Sequence, residues 1–155
     1  MMHKLSVLHK IANEFKSHQV EFALGGSAML YLKGIVNEFN DLDLIVSPKS
    51  VLTVVEIMHR LGNLETIPAS PQFSTLYFYK FRVDHVSVDV ISEFTINHQG
   101  KRHYFPFDKI EHSESYRLNG IEIPLQSILD WMTFYRLMDR LDKVHLIETY
   151  LKNQS

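Results

Sequence analysis

The chain contains no cysteine, so disulfide bonds, thiolate catalysis and cysteine-ligated zinc are all excluded. No apolar run approaches the roughly 20 residues that a membrane-spanning helix needs. Neither sign of charge is in large excess: 16 Lys and Arg stand against 18 Asp and Glu, a net charge of −2. So balanced a chain exerts no general pull on a polyanion, which argues against a long nucleic acid as partner and leaves only a local basic patch. Internal repeats and linkers are also missing. The opening residues, MMHKLSVLHKIANEF, place Lys4, Lys10 and Glu14 inside their apolar pattern, unlike a signal peptide. A cytoplasmic location is therefore expected. What the chain does have is 45% apolar residues in a length of 155, enough for the core of a single domain spanning 1–155.

The apolar spacing outlines that domain. Leu5, Leu8, Ile11 and Phe15 predict an amphipathic helix over about 5–18. Residues 20–24 (VEFAL) are short and β-prone and run into Gly25-Gly26, a strand entering a turn. Ser27 then stands where it would cap a short helix, AMLYLK, closed near Gly34. Residues 41–46 (DLDLIV) alternate and then turn apolar, as a strand entering a core does. Ser47-Pro48 predicts a helix start, with Val51, Val54, Val55, Met58 and Leu61 as its buried stripe and Gly62 as its end. Residues 73–81 and 86–91 are rich in aromatic and β-branched side chains and predict two strands joined by the polar link 82–85. Residues 102–107 and 121–123 read as further short strands. Beyond Pro124, helical spacing runs through Ile128, Trp131, Met132, Tyr135, Met138 and Leu141. It continues through Val144, Ile147 and Leu151 after a bend near Asp139. The expected fold class is α/β (α+β): a mixed β-sheet flanked by helices, core about 5–124, with a C-terminal helical segment over about 125–152.

Two short motifs carry chemistry. On a strand, Asp41 and Asp43 share a face while Leu42 and Leu44 point into the core. Two carboxylates side by side raise each other's pKa unless a cation compensates, and oxygen ligands without cysteine favour Mg²⁺ or Mn²⁺. A solvated edge strand is the plainer explanation of the pair taken alone. Gly25-Gly26-Ser27 lies between a strand and a helix start, where glycine lets the backbone approach a ligand and helix N–H groups suit phosphate oxygens. A simple turn with a serine cap explains it equally well in isolation. It is not a P-loop, because no Gly-Lys-Ser/Thr follows.

Together, Leu24, Gly26, Ser27, Asp41, Leu42, Asp43 and Leu44 resemble the signature of the nucleotidyltransferase superfamily, the group that includes DNA polymerase β. That pattern calls for a third carboxylate on a later strand, and Asp89 in HVSVDVIS matches it, with Asp84 as a rival placed in the turn. In size and layout the chain looks like small stand-alone members, the lincosamide-type and abortive-infection-system nucleotidyltransferases. The resemblance implies catalytic and metal-holding roles for Asp41, Asp43 and Asp89, with Mg²⁺ or Mn²⁺ as cofactor and an NTP such as ATP as substrate. It implies nucleotide binding by Gly25, Gly26, Ser27 and Arg136, the last chosen from a helical stretch that also holds Arg140, Asp142 and Lys143. The expected reaction moves an NMP to a hydroxyl of a small molecule, protein or RNA. A non-catalytic binding or regulatory module is the alternative, or a toxin–antitoxin or phage-defence component working through a partner protein. One departure stands out: Asn37-Glu38-Phe39-Asn40 occupies the place where many relatives carry a base, and Lys33 is the nearest one upstream.

The other notable residues have plainer readings. The nine histidines show no ligand spacing and are expected on the surface or in loops, with His85 placed on the face of Asp89 if it belongs to that strand. Tyr77, Phe78, Tyr79 and Phe81 read as alternating sheet aromatics rather than a base-stacking platform. Trp131 and Tyr135 read as helix-packing residues.

Overall fold

Helix α1 (Met2–Ser17) buries Val7, Leu8, Ile11, Ala12 and Phe15, the stripe that its 3.6-residue period requires. The structure is a computed structural model and describes residues 1–109 and 114–154. After α1 come β1 (Phe22–Gly25), α2 (Gly26–Leu32), β2 (Asp41–Val46) and, beyond a short 3₁₀ turn, α3 (Val51–Leu61). Then come β3 (Asn63–Glu65), β4 (Tyr77–Val83), β5 (Val86–Ser92), β6 (Phe94–His98) and β7 (Lys101–Phe105). The chain closes with β8 (Glu114–Leu118), β9 (Ile121–Leu125), α4 (Ile128–Leu137) and α5 (Leu141–Gln154).

Among the described residues seven strands form one mixed sheet in the order β3-β4-β5-β2-β1-β9-β8, and β6 and β7 make a separate hairpin. β2 runs parallel to β5, and β1 parallel to β9; the other neighbours are antiparallel. Leu24, Leu42, Leu44, Val88 and Val90 share one face of the central strands and are fully buried. α1 packs on α3 and β9, while α4 packs on α5 and β6. α4 begins at Ser127, whose hydroxyl accepts from the backbone N–H groups of Leu129 and Asp130 and caps the helix that carries Trp131 and Tyr135. No helix among the described residues is long and apolar enough to cross a membrane.

Several boundaries differ from the expectation, each for a local reason. Ser27 is not a cap: α2 starts two residues earlier than expected, with Gly25 in the cap position and Gly26 at φ +61. Ser47 does not cap α3 either. Its hydroxyl donates to Ser50 Oγ across the 3₁₀ turn, and the α-helix proper starts at Val51. In α3, Ile57 joins the buried stripe, while Val55 and Leu61 are only half-buried. The 73–81 strand starts later, at Tyr77, because Phe73 pairs instead with Ile96 in an isolated bridge. The link to β5 is tighter than four residues. Only Asp84 and His85 turn, both at positive φ, as a two-residue hairpin demands. His85 therefore lies off the strand of Asp89, and Asp84 is held by Lys10 at 2.5 Å. The strand expected at 102–107 is Lys101–Phe105, and β9 runs on through Pro124 to Leu125. β1 joins β9 only at Leu24 and Leu125, so the missing N–H of Pro124 is not needed at that seam. The bend at Asp139 is a full break between α4 and α5, with Asp139 at φ 58. Of the histidines, His112 lies outside the described residues.

Candidate active site

The site is assembled by strand register. Leu42 and Leu44 are buried, which turns Asp41 and Asp43 to the opposite face of β2. β5 runs parallel beside it with Asp41 level with Ser87 and Asp43 level with Asp89. Asp43 and Asp89 are therefore neighbours on one face, although they lie far apart in the sequence. On the other side, Gly25 of β1 stands opposite Asp43. A Cβ on Gly26 would overlap the Asp43 carboxylate, and a Cβ on Gly25 would overlap the Trp131 indole and Gln126 Oε1. The two glycines thus let the strand–helix corner close onto the acids and onto α4. Gln126 Oε1 accepts from Trp131 Nε1 at 2.7 Å, which fixes the indole in that corner.

The acids are crowded. Burial, then the charges of Asp89 and Asp41 and a hydrogen bond with Asp89, push the Asp43 carboxyl well above the ordinary carboxylate range. Lys80 of β4 is the cation nearest to hand. It stands opposite Asp89 in the antiparallel β4–β5 ladder, and its Nζ lies 2.7 Å from Asp89 Oδ1 and 3.2 Å from Ser87 Oγ. Partial burial draws the Lys80 ammonium down, but the hydrogen bond and charge of Asp89, with the charges of Asp41 and Asp43, outweigh it and the net shift is upward. The Tyr135 phenol is raised mainly by burial and next by the Asp43 charge.

A cleft of about 430 Å³ opens over these groups. Its acidic wall is Asp41, Asp43, Asp89 and Glu38; Arg140 and Lys143 bring positive charge; Phe73, Phe78, Trp131 and Tyr135 supply an aromatic wall. Ser27 lines the cleft, whereas Gly25 and Gly26 are buried behind it. Arg136 is exposed on α4 and does not line it; the bases that reach the cleft come after the α4–α5 break. Lys33, the base upstream of Asp41, is drawn away to Glu114 at 2.6 Å. Nothing in the sequence pattern singles out Lys80, or joins the aromatics into one wall. Trp131 and Tyr135 do pack as buried helix residues, and they border the cleft as well.

The donor chemistry suits a hard divalent cation. Asp43 is a carboxyl whose ionisation is opposed by its surroundings, and a cation between it and Asp41 relieves that. Mg²⁺ is usually held by one or two carboxylates together with water and substrate phosphates, so Asp41 and Asp43 suffice. Among the described residues no three acidic or imidazole side chains converge as a ready-made cage.

No family model and no curated protein matches the sequence. Solved structures do match. TM1012 from Thermotoga maritima, itself described only as a candidate nucleotidyltransferase, superposes with a TM-score of 0.73 at 18% identity, over 99% of this chain and 95% of that one. ANT(2″)-Ia, solved with adenylyl-2″-tobramycin, gives a TM-score of 0.62 at 14% identity, over 96% of this chain and 90% of that one. The lincosamide antibiotic adenylyltransferase LnuA, solved with lincomycin, gives 0.60 at 15% identity, over 91% and 94%. At such identities the likeness speaks for architecture alone, and over nearly its whole length this chain has the nucleotidyltransferase fold.

Proposed function

We propose that the chain transfers a nucleoside monophosphate from an NTP to a hydroxyl of a small acceptor held in the cleft. The observation that carries this reading is the level register of Asp43 and Asp89 on parallel strands, beside Asp41 and under a cleft that also presents Arg140 and Lys143. Two relatives in fold are named for, or caught with, adenylyl transfer to a small antibiotic, which favours ATP and a small hydroxyl compound here. The acceptor oxygen forms a bond to the α-phosphorus, the bond from that phosphorus to the bridging oxygen breaks, and pyrophosphate leaves. Asp89 accepts the hydroxyl proton. Mg²⁺ or Mn²⁺ held by Asp41 and Asp43 would supply Lewis-acid stabilisation of the phosphate charge. Ser27 offers a hydroxyl to the outer phosphates, and Gly25 and Gly26 act behind it by allowing the close approach of α2. Arg140 and Lys143 take the place that the sequence suggested for Arg136 and neutralise the triphosphate.

The test is incubation with all four NTPs, Mg²⁺ or Mn²⁺ and a pool of hydroxyl compounds, read by mass spectrometry. Addition of one NMP to a pool member, with release of pyrophosphate, is the expected result. Confirmed NTP binding with no transfer would shift the reading to a binding module, for which the loss of Lys33 to Glu114 is the one supporting observation. A second expectation separates the two arginines. Arg140→Ala raises the KM for the NTP about tenfold, the loss of one charge-assisted hydrogen bond. Arg136→Ala changes it less than about twofold, as an exposed charge outside the cleft would. Steady-state kinetics at fixed acceptor decide between them.

A further inference from the structure

We infer that Lys80 is a resident cation that takes Asp89 out of the divalent-ion site, so that Asp41 and Asp43 alone carry the one ion the free chain binds. The inference rests on the proposed nucleotidyltransferase reading and gives its cation set a specific composition. Lys80 is fixed by the ladder. Val83 faces Val86 across the turn, so three steps back along each strand bring Lys80 opposite Asp89, and its Nζ closes to 2.7 Å from Oδ1. The pair is not a screened surface contact, since the two side chains keep only 27% and 12% of their exposure. Ser87 Oγ accepts a second Nζ hydrogen bond at 3.2 Å, which holds the ammonium at the sheet face rather than letting it sweep into solvent.

The consequence for a metal is direct. A divalent ion that used Asp89 would have to displace the ammonium and then sit beside it, with two like charges and little water between them. Asp41 and Asp43 carry no such tenant: neither has a lysine or arginine partner among the described ion pairs. Lys80 thus keeps one carboxylate charged, oriented and unmetallated beside a pair that takes the ion.

The experiment titrates Mn²⁺ alone into the full chain and counts free ion by electron paramagnetic resonance. The wild type binds one ion. Asp89→Asn weakens that binding less than about threefold, whereas Asp43→Asn weakens it at least about tenfold. Lys80→Met, with Asp89 released, binds a second ion or tightens the first by about tenfold. Circular dichroism confirms that each variant is folded, and the Asp89 and Asp43 variants decide the matter even if Lys80→Met is not. Two ions on the wild type, equal losses from Asp89→Asn and Asp43→Asn, or an unchanged folded Lys80→Met each overturn the inference while leaving the transfer reading intact. Absence of any bound ion overturns the inference, and with absent NMP transfer it overturns the reading as well.

Discussion

Asp43→Asn is expected to abolish the proposed nucleotidyl transfer and at the same time to make the metal-free protein more stable. The first effect comes from the loss of a carboxylate under the phosphates. Metal-borne charge stabilisation is worth several kcal/mol, so transfer falls by roughly a thousandfold or more. The second comes from the crowding that the wild-type site tolerates. Burial and the neighbouring Asp89 and Asp41 hold the Asp43 carboxyl well above the ordinary value of 3.8 when the chain is folded. The unfolded chain ionises at the ordinary value. Between that pH and the raised folded value the folded state holds the extra proton, so stability falls as pH rises through the window and is flat above it. An amide neither ionises nor repels. With EDTA present, Asp43→Asn should melt about 3–6 °C above wild type at neutral pH. The difference should shrink as the pH is lowered toward the ordinary carboxylate range. Melting temperatures across the acidic to neutral range check the sign; a variant less stable than wild type at neutral pH would remove the electrostatic account of the site.

Gly26→Ala should be strongly damaging for a single added methyl. Gly26 sits at φ +61, where an L side chain costs about 1–2 kcal/mol. The new Cβ would also overlap the Asp43 carboxylate, and forced repacking adds about 1–3 kcal/mol. The sum is a large share of a domain's ordinary stability margin, about 5–15 kcal/mol. Urea unfolding should show the loss as a shifted midpoint at unchanged slope. The proposed transfer should fail as well, because the side chain in the way is the Asp43 carboxylate. Gly34→Ala is the control. It also has positive φ, but nothing stands near its missing Cβ, so it should show the conformational cost without loss of transfer.

The parts legible from sequence are those that local physics repeats. The strand expected at 41–46 stands there as β2, because Asp-Leu-Asp-Leu alternates with the strand period and ends in buried Ile45 and Val46. Asp89 stands out as an aspartate among valines, a placement that needs a reason. The mixed sheet with C-terminal helices follows from element order. Apolar spacing passes over β3, β6 and β8. β3 has three residues and β8 is exposed at four of its five, so neither shows an apolar pattern. Lys80 is hidden by the turn. A link counted as four residues shifts the hairpin register by two and sets Phe78, not Lys80, against Asp89. The two-residue turn at Asp84-His85 restores the pairing. Arg136 shares a helical stretch with Arg140, and spacing alone does not show that the helix breaks at Asp139 and turns the later bases toward the cleft.

The seam between β1 and β9 has a consequence for how the protein is made. β1 pairs with β2 on one edge and needs β9 on the other, and Leu24 meets Leu125 only after some hundred intervening residues have been synthesised. Trp131, which backs onto Gly25, comes later still. While the chain emerges from the ribosome, the strand that leads into the glycine corner therefore keeps one edge of unpaired backbone N–H and C=O groups open until β9 is out. Folding of so non-local a sheet is correspondingly slow. Nascent chains stalled before residue 125 should be the ones that chaperones hold and proteases find. The glycine corner thus closes only after β9 and the start of α4, both made long after it, have followed.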